Sequence, residues 1–263
     1  MSVNIDPRAA VHSNAHLGEN VTIGPFAFVE ADTVVGDGTI VGAHAIVNRW
    51  TTLGRECRIA PFASIGGAPQ DLKYKGEKTT LTVGDRCDIR EYVTLNRGTQ
   101  ETGETIIGSN CLFMANTHVA HDCRVGDNCI MANSAALGGH VHMGSSVIIG
   151  GLTPVHQFTH LGEHAMIGGG YRVTKDVPPY VRAGREPMSF EGLNSVGLRR
   201  RGFKPETIAL IDKTYMLLYQ SNLNVSQAVE RIKAEVELIP EVKTILDFIA
   251  KSKRGIIPAH THR

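Results

Sequence analysis

The 263-residue chain predicts a parallel β-helix of hexapeptide repeats followed by a small α-helical domain. Three observations carry that reading. An apolar residue recurs at every sixth position from Ile5 to Val173; of the 29 positions in this phase only Asp71, Glu77 and Glu101 are not apolar. Four residues after each apolar position stands a small or β-branched side chain, among them Ala27, Thr33, Thr39, Ala45, Thr117, Ala135 and Val141. From about residue 190 the apolar spacing changes to that of helices. A helix repeats at 3.6 residues and a strand at 2, so a sustained period of 6 belongs to a coil of short strands and turns.

Three hexads make one triangular coil, which stacks residues 18 apart at the ~4.8 Å strand spacing. Residues 1 to about 66 give unbroken hexads and read as scaffold. The rhythm lapses at G-G-A-P-Q-D-L-K-Y-K-G-E and again at N-R-G-T-Q-E-T-G-E-T, predicting loops near 66–80 and 96–105 that leave the wall. Gln70, Asp71, Lys73 and Lys75 cluster on the first loop as a candidate substrate clamp. Hexads then continue to Val173, and Pro178 and Pro179 close the coil domain, expected over 1–177. The helical domain is expected over 178–263. Ile208, Ile211, Tyr215 and Leu218 form one stripe, Val225, Val229, Ile232 and Val236 a second, and Ile245, Leu246 and Ile249 follow Pro240 in a last helix.

Composition narrows the function classes. No apolar run reaches 18 residues and no charged-then-apolar leader is present, so neither a membrane span nor a secretion signal is expected. The five cysteines share the small-residue column with Ala and Thr, which makes them core residues and not a disulfide set. A reducing, cytoplasmic location follows. Residues 1–175 carry 13 basic and 16 acidic side chains, the remainder 14 and 10. That excess is too small for nucleic-acid binding but suits an acidic protein partner.

Chemistry concentrates in T-H-V-A-H-D-C-R-V, residues 117–125. Eighteen-residue stacking sets Gly139 one coil above His121, Gln157 above Gly139, and His140 above Asp122. His121 lies two residues past the inward Val119 and precedes Asp122, the usual arrangement for a general base held by a carboxylate. No Ser or Cys nucleophile stands out, since Cys123 points inward, so direct attack by a substrate hydroxyl is expected. Seven histidines fall between 118 and 164, but their spacings of two to four residues give no metal-ligand pattern, and no metal is expected.

The strings G-G-A-P-Q-D-L-K-Y-K-G-E, N-R-G-T, H-V-A-H-D-C, G-G-H-V, V-H-Q-F, D-V-P-P-Y-V and G-L-R-R-R-G-F occur in this order over nearly the whole chain. Together they resemble the acyl-[acyl carrier protein]–UDP-N-acetylglucosamine O-acyltransferases, which catalyse the first step of lipid A synthesis in Gram-negative bacteria. The resemblance implies a left-handed parallel β-helix assembled as a homotrimer, with active sites in clefts between subunits. It implies that His121 removes the proton of the glucosamine 3-hydroxyl, that Asp122 orients it, and that the Gly139 N–H stabilises the oxyanion. Gln70, Lys73, His118, His140, His156, Gln157, Asn194, Arg200 and Arg201 match positions that hold the sugar nucleotide or acyl chain, and Gly169 the position that measures acyl length. No cofactor is implied, because 4′-phosphopantetheine arrives on the acyl carrier protein. The sequence departs from the pattern at Val196, where many members are acidic, and at Asn96, where many have His. The acceptor is therefore left open between a 3-hydroxy and a 3-amino sugar. A related N-acyltransferase carries an additional N-terminal domain, for which hexads starting at Ile5 leave no room; a non-catalytic scaffold would not need the stacked base, carboxylate and glycine.

Overall fold

A computed structural model describes residues 2–259, so Met1 and the last four residues of the expected helical domain lie outside the described residues. Short strands, mostly of two residues, alternate with turns and wind into three parallel sheets. The first sheet starts at Asn4–Ile5, the second at Ala10–Val11 and the third at His16–Leu17, and each coil adds one strand to each. Within the two-residue strands the second residue points inward and is buried, as in Phe28–Val29 and Ile46–Val47, while the first faces out. The first coil, at the open end of the stack, is the exception: Ile5 is 43% exposed, and Val11 and Leu17 are half-buried.

Turns of four residues join the sheets. One residue in most turns has φ near +60°, including Phe26, His44, Phe62, Asp122 and His140. Asp and His tolerate that region better than most residues. The four-residue column fills the inside of each corner: Ala27, Thr33, Thr39, Ala45, Ala135 and Val141 are all buried, as are the five free cysteines. Burial pushes the Cys123 thiol up to about 12, so it stays protonated.

The coil runs further than the proline pair suggested. Past Pro178–Pro179, Val181–Gly184 extends the first sheet in parallel, and Ser189–Leu193 folds back antiparallel beside it. Helices begin only at Ser195: α1 (Ser195–Arg200), α2 (Pro205–Gln220), α3 (Val225–Glu235) and α4 (Pro240–Lys251). The α2 stripe buries Ile211, Tyr215 and Leu218, and α4 buries Val242 and Ile245. Val225, expected in the α3 stripe, is exposed at the first turn; Ala228 takes the buried position instead.

Buried polar contacts fasten the helices to the coil. Tyr215 donates from its hydroxyl to the Pro179 carbonyl at 2.6 Å, and Ser252 to the buried Asp176 carboxylate at 2.6 Å. The segment after α4 pairs with Asp176, whose N–H donates to Gly255 O and whose carbonyl accepts from Ile257 N–H. Tyr215→Phe removes one donor from a fully buried contact, a loss of about 1–2 kcal/mol. Urea unfolding at fixed protein concentration should show an earlier midpoint; an unchanged midpoint would mean the contact does not fasten the domain.

Candidate active site

Both loops leave the coil at one corner, between the second and third sheets. Residues 68–79 connect Ser64–Gly67 to Thr80–Val83, and residues 97–103 connect Thr94–Asn96 to Glu104–Ile107 in the next coil. Above them the same corner carries His121 and Asp122, then Gly139 and His140, then His156, Gln157 and Phe158. The expected stacking holds: His118 pairs with Ala136, and the His140 N–H donates to the His121 carbonyl at 3.0 Å.

Asp122 is the centre of this corner. Its side chain is fully buried, so its charge depends on donors from the protein. Oδ1 accepts from the Thr99 N–H at 3.0 Å and from the Thr102 hydroxyl; Oδ2 accepts from the Thr99 hydroxyl at 2.7 Å and from His121 Nδ1 at 2.7 Å. Burial would raise the carboxyl pKa, and the Thr102, His121 and Thr99 donors more than offset it, holding the group below the usual carboxylate range. An ionised carboxylate can only accept, so Nδ1 of His121 must carry the hydrogen. Nε2 is left as the free lone pair.

The imidazole of His121 lies directly under Gly139. A Cβ built on Gly139 would stand 2.5 Å from Cε1 and 2.8 Å from Nε2 of the ring, so only glycine admits this approach. His140 meets His121 edge-on with ring centres 5.3 Å apart, stacks on Phe158 at 4.4 Å, and points Nε2 at Glu101 (3.3 Å) and Asp122 (3.5 Å). The Gly139 N–H has no acceptor among the described residues. At the same corner lower down, the Arg49 N–H donates to the Glu30 carboxylate at 2.7 Å. Ala120 occupies the place of Glu30 beneath Gly139 and offers no side-chain acceptor, so that amide is open to a ligand.

His118 faces out of the second sheet beside this corner and bonds Thr94 Oγ1 through Nδ1 at 2.7 Å; burial, and secondarily the neighbouring His121, lower its pKa. His156 and Gln157 are exposed above. Asp71, Lys73, Thr99 and Glu101 line a cavity of about 340 Å³ between the two loops, and Gln70 is exposed on the first of them. Arg97 ties the loops together: it sits over Trp50 at 5.0 Å and Tyr74 at 5.6 Å, and donates to Gly66 O and Tyr74 Oη. Asn96 is buried and donates to Ala68 O, so it braces the first loop from within.

Relatives share this architecture end to end. The family described as Udp N-acetylglucosamine O-acyltransferase, Domain 2, matches residues 176–257, and bacterial transferase hexapeptide repeats match 32–67 and 104–139. An acyl-[acyl-carrier-protein]–UDP-N-acetylglucosamine O-acyltransferase of Chlorobaculum parvum is 61% identical over 96% of both chains. One from Myxococcus xanthus is 50% identical over 96% of this chain and 98% of its own. The UDP-N-acetylglucosamine acyltransferase structure from Bacteroides fragilis superposes with a TM-score of 0.94 at 46% identity, covering 96% of this chain and 99% of that one. The chain belongs to the acyl-[acyl-carrier-protein]–UDP-N-acetylglucosamine O-acyltransferase family.

Not every residue expected at the site of this O-acyltransferase gathers at the corner. Asn194, Arg200 and Arg201 line a cavity of about 600 Å³ with Ile148 and Met166, the outward residues of the first sheet. That sheet is the side of the prism opposite His121. Asn194 is itself 4% exposed: Oδ1 caps α1 by accepting from Gly197 N–H, and Nδ2 donates to His164 O. Val196 lines the same cavity and is half exposed. Gly169 lies at the corner between the first and second sheets, where a Cβ would press on Gly151 O at 3.0 Å.

Sequence reading missed Thr99, Thr102, Arg97 and Ala120. The first three sit on or beside an excursion with no period to report their neighbours; Ala120 was legible only as a departure from Glu30. Stacking also gathers His121, Asp122 and His140 with ligand atoms within 4.8 Å, a grouping the histidine spacings did not reveal. Both Asp122 oxygens are already occupied by two donors each. Gly139→Ala should displace the His121 ring and lower acyl transfer at least ~100-fold in a folded protein. Equal activity, with unchanged His121 ring resonances by NMR, would show that the close approach is not required.

Proposed function

We propose that this enzyme transfers an (R)-3-hydroxyacyl chain from acyl carrier protein to the 3-hydroxyl of UDP-N-acetylglucosamine, the first step of lipid A synthesis, with His121 as general base. The observation that carries this reading is the His121–Asp122 pair: its ring, with Nε2 bare, lies against Gly139, whose N–H is unclaimed. Nε2 takes the proton of the sugar hydroxyl as the oxygen attacks the thioester carbonyl. The new C–O bond leaves the carbonyl oxygen negative, where the Gly139 N–H meets it. Collapse breaks the C–S bond, and the imidazolium returns its proton to the departing phosphopantetheine sulfur. Asp122, kept ionised, stabilises the imidazolium between the two transfers. Base and amide complete the proton balance without a resident cofactor or metal, so exhaustive chelation should leave the rate unchanged.

The same geometry supports a site shared between subunits. A nucleotide held by Arg200 and Arg201 on the first sheet lies across the prism from His121 of its own chain. One substrate reaches both sets only if the corner of one chain faces the first sheet of another. We therefore read the enzyme as a homotrimer with composite sites, Gln70, Asp71, Lys73, His118, His140, His156 and Gln157 acting from one subunit and Arg200 and Arg201 from its neighbour. Asn194 shapes the nucleotide pocket through its cap, and Gly169 limits acyl length. No helix among the described residues is long and apolar enough to cross a membrane, consistent with cytoplasmic work on a soluble carrier.

Separately, His121→Ala and Arg200→Ala/Arg201→Ala should each lower turnover by ~10²–10⁴-fold. Co-expressed in mixed assemblies, they should regain activity, because some clefts then combine an intact corner with intact arginines. Mixed assemblies no more active than the parents would place both sets in one chain's site and refute the composite reading.

A further inference from the structure

We propose that Thr102, on the loop of the coil beneath His121, is a positioning residue for acyl transfer: its hydroxyl helps keep Asp122 ionised and aimed at Nδ1 of His121. The proposal rests on His121 acting as the base. Thr102 has one hydroxyl proton and two acceptors in reach, Asp122 Oδ1 and the Glu104 carbonyl at 3.0 Å. The charged oxygen is the nearer and the stronger acceptor, so the proton goes there. Were Asp122 protonated, the same hydroxyl would accept from it and turn its own proton to Glu104. That exchange trades a charge-assisted bond for neutral ones, so the hydroxyl favours the anion, as the other donors, Thr99 and His121, do.

Thr99 and Thr102 differ in what a substitution would disturb. Thr99 donates through its backbone N–H as well as its hydroxyl, and its hydroxyl also accepts from the Glu101 N–H at 3.2 Å. Thr102 reaches Asp122 by its hydroxyl alone, and the residue is otherwise exposed. Valine in its place removes the donor with almost no change in shape. The charged and titratable groups facing the pair are His118, His140, the Glu101 carboxylate on His140, and the buried Cys123 thiol. A neutral change at Thr102 leaves all four in place, so the effect of the hydroxyl is isolated.

The sign of the pH effect follows. A carboxylate that loses a donor is less stable as an anion, so the Asp122–His121 pair takes up a proton more readily. The acid limb of the kcat/KM profile, which reports that uptake, should move to higher pH. The experiment compares full pH profiles of wild type, Thr102→Val and Thr102→Ser. Expected for valine are a limb about half a pH unit higher, kcat about tenfold lower at neutral pH, KM for both substrates within about twofold, and an unchanged melting midpoint. Serine should restore limb and rate. An unmoved limb in Thr102→Val, or a serine variant as impaired as valine, would overturn the proposal. Loss of the base assignment has a different signature: it would appear as an active His121→Ala enzyme, whatever the Thr102 variants do.

Discussion

Each coil passes its backbone hydrogen bonds to the coils above and below, and the rest of the molecule depends on that ladder. A slip of one residue would turn a whole strand's inward side chain to solvent. The register therefore continues through both loops. Ser64 pairs with Thr94 across the first excursion and Thr94 with His118 across the second, while His118 meets Ala136 with no excursion between. Because each loop leaves and rejoins at one corner, its length is free, and its residues can reach over the wall without disturbing it.

That freedom is what makes a buried charge workable. The coil wall supplies Asp122 with a position and a left-handed backbone but few donors of its own. Thr99 and Thr102 come from the loop below, and His121 from the preceding residue. Isolated burial of a carboxylate costs several kcal/mol and ends in protonation. Four donors keep it charged, and a charged Asp122 in turn fixes which nitrogen of His121 is bare. The bare nitrogen of His121 is thus set by two loop hydroxyls acting through a buried carboxylate.

Much of this was legible in the sequence, for a definite reason. Period 6 is a strong signal, and adding 18 to His121 finds Gly139 without further knowledge. The same arithmetic gathers His121, Asp122 and His140, which local spacing had kept apart. What the period cannot reach is anything off the wall. Thr102 lies on an excursion, Arg97 acts through Trp50 and Tyr74 on other segments, and the helices dock by contacts such as Tyr215 to Pro179 that no repeat encodes. Asn194 shows a further limit. The motif marks it for substrate, and no repeat announces that the same side chain caps α1 and holds His164 while lining the pocket. Arg200 and Arg201 are placed by that same turn of helix, on the side of the prism away from His121.

Nitrogen-15 NMR of the imidazole rings tests the central claim, that Asp122 holds His121 as a neutral base with Nε2 bare. With His121 assigned by difference from His121→Gln, and at a pH of full activity, its Nδ1 should appear protonated and its Nε2 unprotonated. In Asp122→Asn that preference should weaken or reverse. A wild-type His121 carrying its proton on Nε2, or doubly protonated where the enzyme is fully active, would contradict the assignment of the base.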